Sequence, residues 1–192
     1  MNADALGGIL AKAQSGGERN LWLGALLAKE AATDIVIVGG SAIEVYTSGK
    51  YVSGDVDLVG ERPLIIGILE RWRFQREGRL WARSDLELWV DPVGQHYTGD
   101  VRRLRVVSTP HGTVRLASVE DLIAKRLIET KVRPRGGMEL FDQAVALAAE
   151  YQDEIDWDYV TRVARQDLAE DLVPELRRRL VPRSGTSRTR SE

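Results

Sequence analysis

Residues 35–59 read IVIVGGSAIEVYTSGKYVSGDVDLV, and the order of chemistries along that stretch decides the fold class. Ile35–Val38 is an unbroken β-branched run without alternation, which predicts a central strand covered on both faces. Gly39-Gly40-Ser41 then turns the chain into AIEVYTS, where Ala42, Val45 and Tyr46 share one helix face. After a loop holding Gly49 and Gly54, Asp55-Val56-Asp57-Leu58-Val59 alternates polar with apolar, the period of a strand with one wet face. Asp55 and Asp57 therefore point the same way.

Outward from this unit, residues 9–14 and 18–31 carry apolar side chains at helical spacing, punctuated by glycine pairs at 7–8 and 16–17. Pro63 suits the first turn of a helix through LIIGILERW that ends before Gly78. The pattern from Trp81 to Asp91 predicts one strand with Leu86, Leu88 and Val90 on one face and Asp85, Glu87 and Asp91 on the other. Short strands are expected over 101–107 and 112–116, followed by a helix DLIAKRLIET entered through Ser118-Val-Glu-Asp121. Further helices are expected over 138–151 and 157–180, the latter broken near Pro174, and PRSGTSRTRSE at the end has the composition of a disordered tail. The expected organisation is an N-terminal helical section (1–32), an α/β core with a small mixed sheet (33–117), a C-terminal helical section (118–181) and the tail (182–192).

Composition excludes several chemistries. The 192 residues contain no cysteine, which removes disulfides, thiolate metal sites and cysteine nucleophiles. His96 and His111 are the only two imidazoles, so a zinc site is not expected. No apolar run approaches the ~20 residues of a membrane span, and Met1–Gly8 lacks the basic flank and apolar core of a signal peptide, so the expected location is cytoplasmic. Lys+Arg 27 against Asp+Glu 29 leaves a net charge of −2, but the charge is polarised: residues 101–135 hold nine Lys/Arg against three Asp/Glu, and 150–171 eight Asp/Glu against two Arg. The five tryptophans are expected as packing residues rather than base-stacking platforms.

Two carboxylates side by side on one strand face repel unless a cation lies between them. Mg²⁺ suits such a pair, being a hard ion usually held by one or two carboxylates and completed by water and substrate phosphates. Gly39 and Gly40 allow close backbone approach, and the amides opening the next helix point at any anion there, which fits a triphosphate. An Asp-x-Asp pair alone is ordinarily a solvated strand face, and a glycine pair alone an ordinary turn. Their combination at this spacing, with an acidic strand to follow, favours a metal–phosphate site. Asp85, Glu87 and Asp91 all qualify as a third carboxylate for a two-metal site. Glu87 is preferred because it sits inside the apolar stretch.

The run quoted above resembles the signature of the nucleotidyltransferase superfamily related to DNA polymerase β: apolar strand, Gly-Gly or Gly-Ser, spacer, Asp-x-Asp between apolar residues, and a later acidic residue, here matched by Leu86-Glu87-Leu88. SVEDLIAKRLIETKVRPRGGMELFDQAVAL, residues 118–147, is similar to the segment after the sheet in AbiEii-type nucleotidyltransferases, although Met138-Glu139 stands where that family usually has Asp. The resemblance spans about residues 33–150. It implies Asp55, Asp57 and Glu87 as catalytic Mg²⁺ ligands for two ions, with Gly39, Gly40 and Ser41 at the β- and γ-phosphates and Lys125 at the triphosphate. Arg133 or Arg135 would lie nearby, and Glu139 and Asp142 would fill paired acidic positions. The implied reaction moves a nucleoside monophosphate from an NTP to an acceptor. An RNA or tRNA end in a toxin–antitoxin or phage-defence setting heads the candidates, with the basic 101–135 stretch and Arg177-Arg178-Arg179 facing RNA. A partner protein's side chain, a small hydroxylated compound such as an antibiotic, and a non-catalytic nucleotide-binding role are the alternatives.

Overall fold

The computed structural model describes residues 1–133 and 137–180, so the tail expected over 182–192 and Arg135 lie outside the described residues. Helices α1 (Ala3–Leu10) and α2 (Gly16–Ala31) lead into β1 (Val36–Ile37), α3 (Gly39–Tyr46), β2 (Val56–Val59) and α4 (Arg62–Arg71). Strands β3 (Gln75–Glu77), β4 (Leu80–Arg83), β5 (Leu88–Gly94), β6 (Arg105–Thr109) and β7 (Gly112–Leu116) complete the sheet. Helices α5 (Val119–Val132), α6 (Gly137–Glu150), α7 (Trp157–Arg165) and α8 (Leu172–Leu180) follow. The seven strands form one mixed sheet in the order β3-β4-β5-β2-β1-β7-β6. β2 runs antiparallel to β1 and parallel to β5, and β1 runs parallel to β7. This is the α/β architecture expected from the sequence.

β1 is central because Ile35, Val36 and Ile37 are all buried, and α2 lies close against it. Gly24 permits that approach: a Cβ there would come within 2.8 Å of Val114 Cγ2 and 3.0 Å of Ile37 Cδ1. One hydrophobic core runs from Leu6 through Leu27, Ile37, Leu58, Ile123 and Leu147 to Leu176, joining the helices at both ends to the sheet. Side-chain caps set where several helices begin. Asn2, Ser15, Ser118 and Asp156 each accept from a backbone N–H three residues on, satisfying donors that a first turn otherwise leaves orphaned.

Four expectations need correction. The first helix is Ala3–Leu10 rather than 9–14, since Asn2 caps it and Gly7-Gly8 lie inside it. The first of the short strands runs over Arg105–Thr109, because Asp100 caps a 3-10 turn at Val101–Arg103. The helix expected over 157–180 breaks at 166–171, not at Pro174, which sits in the first turn of α8, where a missing N–H costs nothing. Trp81–Asp91 is a hairpin rather than one strand: β4 and β5 pair antiparallel, Arg83 opposite Leu88, across a 3-10 turn at Ser84–Leu86. The apparent alternation of Leu86, Leu88 and Val90 therefore crosses a chain reversal.

Candidate active site

Asp57 sits within β2, and Asp55 just before it, while Val56 and Leu58 turn into the core. β5 lies alongside in parallel register with Asp91 directly opposite Asp57, so residues on adjacent strands share one face. Pro92 follows where the β2–β5 register slips, an irregularity that accommodates a residue unable to donate to the ladder. The result is a three-carboxylate group: Asp55, Asp57 and Asp91 each bring an oxygen within 4.8 Å of the others. Glu87 does not join it. It ends the Ser84–Leu86 turn in the left-handed region, φ 48°, and faces a small hollow of about 80 Å³ shared with Asn20, Glu44 and the far side of Asp55. Asp85 pairs with Arg83 away from the group. The third converging carboxylate is thus Asp91, whose signal in the sequence was its place on the acidic face of the strand after the Asp-x-Asp unit.

The glycines fit against this group. Gly39 has φ 59° and Gly40 N–H donates to Asp57 Oδ2 at 3.2 Å. A Cβ on Gly39 would overlap the Asp57 carboxylate itself. Gly39→Ala therefore combines an unfavourable left-handed backbone with a collision, and is expected to cost roughly 2–3 kcal/mol, measured as a fall in Tm, whereas Gly67→Ala, where a Cβ meets open space, should be neutral or stabilising. Ser41 does not offer its hydroxyl to a ligand. It is fully buried, donating to Val38 C=O at 3.0 Å and accepting from Asp57 N–H at 3.1 Å. Its role is to clip α3 to β2 and hold Asp57 in place.

Asp55, Asp57, Gly39 and Gly40 line a cleft of about 800 Å³, whereas Asp91 and Ser41 are buried and do not line it. Lys125 and Arg133 of the α5 segment line the same cleft, as do Glu139, His96 and Tyr97, so the structure gathers most of the residues singled out in the sequence. Asp142 points elsewhere, pairing with Arg179 at 2.9 Å. Tyr97 and Tyr159 donate to opposite oxygens of Asp121, bracing α5 against the neighbouring loop and α7. Trp22, Trp72 and Trp81 are buried in the core.

The carboxylate group is electrostatically tense. Burial, then the like charge of Asp55, pushes Asp57 up to about 6, against the Gly40 hydrogen bond and the charge of Arg126. Burial likewise raises Asp91 above the ordinary range, opposed by Arg79. Arg79 lies over the group, Nη1 2.5 Å from Asp91 Oδ2 and Nη2 3.6 Å from Asp55 Oδ2. Asp91 Oδ2 is buried, and Arg79 is its ion-pair partner. Three converging carboxylates balanced by one exposed arginine fit a hard divalent cation.

Most basic residues of 101–135 have partners within the chain. Arg102 pairs with Asp100, Arg103 with Glu120 and Asp156, Arg115 with Asp34, Arg126 with Glu129, and Lys131 with Asp171. Arg178 and Arg179 pair with Glu175, and Arg177 lies over Trp157. These groups do not form a free basic face. No described helix is long and apolar enough to cross a membrane.

No protein-family model matches the chain. No curated protein matches its sequence. The architecture does match a solved structure, an antigenic nucleotidyltransferase-like protein from Paracoccidioides brasiliensis, with 14% identity, 94% of each chain covered and a TM-score of 0.58. The two proteins share a fold.

Proposed function

We propose that the protein is a Mg²⁺-dependent nucleotidyltransferase that moves a nucleoside monophosphate from an NTP to an acceptor hydroxyl. The observation that carries this reading is the Asp55–Asp57–Asp91 group, whose Asp55 and Asp57 line a cleft together with Gly39, Gly40 and Lys125. Mg²⁺ bound to these carboxylates would supply charge neutralisation for the triphosphate and acidify the attacking hydroxyl. The chain's own contribution is placement. The Ser41 clip and the Gly40 N–H hold Asp57 at the helix N-terminus, and the missing Cβ of Gly39 is what lets the Asp57 carboxylate pack there. Lys125 offers the triphosphate a cation from the facing wall, and the cleft aligns the acceptor oxygen so that its bond to the α-phosphorus forms as the bond to pyrophosphate breaks.

An RNA end is the acceptor proposed first, on the similarity of residues 118–147 to AbiEii-type proteins, which also motivates a toxin–antitoxin or phage-defence setting. The exposed pairs among the basic residues, such as Lys131–Asp171 and Arg178–Glu175, do not oppose it, because such pairs are worth about 0–1 kcal/mol and exchange readily for phosphate. The test is incubation of the protein with each α-³²P-labelled NTP, Mg²⁺ and total tRNA. Label on RNA supports the reading. Label on protein moves the acceptor to a side chain, and no label with any NTP overturns catalysis on RNA or protein.

The same assay separates the two third-carboxylate assignments. Asp91→Asn is expected to reduce transfer by about 10²-fold or more, while Glu87→Gln should stay within about 3-fold of the unmodified protein. The reverse order would return the third ligand to Glu87.

A further inference from the structure

Arg79 follows Gly78, which has φ 64°, in the turn between β3 and β4 at the edge of the sheet. β3 is exposed along its whole length and the Arg79 side chain is 72% exposed, yet its guanidinium reaches into the carboxylate group. There it forms a close ion pair with Asp91 and a longer one, 3.6 Å, with Asp55. A guanidinium normally binds a carboxylate through two parallel N–H···O bonds. Here it balances the repulsion of three acids and is held by little else.

We propose that Arg79 is the built-in counter-ion of the site: it neutralises Asp55 and Asp91 in the absence of a divalent cation and gives them up when the cation arrives. This rests on the metal-dependent reading above. A metal and a guanidinium cannot both sit against the same carboxylates without strong like-charge repulsion, so metal entry and withdrawal of the Arg79 side chain are one exchange. Arg79 also lines the cleft. Once displaced it is a free cation at the entrance, where the triphosphate of an incoming nucleotide can pair with it. The two effects have opposite signs: Arg79 opposes binding of the bare metal and favours binding of the metal–nucleotide complex.

The experiment uses the full chain and reads free Mn²⁺ by electron paramagnetic resonance, so it does not depend on finding the acceptor. Arg79→Ala is expected to bind Mn²⁺ about 3- to 10-fold more tightly than the unmodified protein, with Arg79→Lys close to unmodified. In EDTA, Arg79→Ala should melt at a lower temperature than the unmodified protein, and saturating Mn²⁺ should close that gap. Binding of Mn²⁺–NTP should weaken in Arg79→Ala by a comparable factor. If the unmodified protein binds Mn²⁺ and Arg79→Ala binds it equally or more weakly, the counter-ion role is overturned while the metal site stands. If neither binds Mn²⁺, the metal site itself falls, and this inference with it. Arg79→Gln, which keeps most of the side chain's bulk, replaces Arg79→Ala if circular dichroism shows that the latter is misfolded.

Discussion

Asp55→Ala/Asp57→Ala is expected to lower nucleotidyl transfer by at least about 10³-fold, at a stability in EDTA equal to or above that of the unmodified protein. Charge stabilisation by a bound cation is worth several kcal/mol in a phosphoryl-transfer transition state, and about 1.4 kcal/mol corresponds to each factor of ten. Losing two of three donors removes the cation and hence that whole contribution. The fold should not suffer in proportion. The carboxylates repel one another, as the upward push of Asp55 on Asp57 shows, and the Ser41 clip reaches the Asp57 backbone rather than its side chain. The measurement pairs label transfer with a melting curve for each protein. Activity within tenfold of the unmodified protein would remove these aspartates from the chemistry, and a collapse in stability would make them structural.

The second large effect is a dependence of stability on pH in the metal-free protein. Asp57 titrates at about 6 when folded, against an ordinary value of 3.8. Its folded value is raised, so the native state holds this proton more tightly than the unfolded chain does. The associated stabilisation is complete below about pH 4 and disappears as pH rises through about 6. A shift of this size corresponds to roughly 3 kcal/mol, carried above pH 6 as the cost of keeping a charged Asp57 in place. Asp57→Asn retains an oxygen for the Gly40 N–H and discards the charge. In EDTA at pH 7.5 it should melt above the unmodified protein by about 5–10 °C, and near pH 4 the difference should vanish. Saturating Mg²⁺ should reverse the order at pH 7.5, because the ionised carboxylate then has its cation. A variant no more stable than the unmodified protein at pH 7.5 would show that Asp57 is not strained.

The Asp-x-Asp strand was legible because Val56 and Leu58, buried on one face, alternate with aspartates on the other. The Gly39-Gly40 turn was legible because glycine is the residue that tolerates both φ 59° and a carboxylate where its Cβ would be. Asp91 was less legible than Glu87 because the reversal at 84–87 contains Leu86, which mimics a continuing strand. Nothing local distinguishes an apolar residue in a hairpin turn from one on a strand face. Ser41 was misread for a related reason. A serine after two glycines at a helix start has the look of a phosphate ligand, and only the arrival of the Asp57 amide from a strand sixteen residues later shows that its hydroxyl is already engaged. Arg79 carried no signal at all, since its partners come from other strands.

Because Asp57 and Asp91 are brought opposite each other only by the pairing of β2 with β5, the order in which the sheet assembles matters to anything that binds them. A chain that has joined β1, α3 and β2 but has not yet docked the β4–β5 hairpin presents two of the three carboxylates. A ligand that needs all three therefore gains nothing until that hairpin docks, and holds on only while it stays docked. If the hairpin docks after the folding barrier, such a ligand leaves the rate of folding nearly untouched and slows unfolding instead. Its presence would be read in the lifetime of the folded chain against a protease rather than in how quickly the chain reaches its native form.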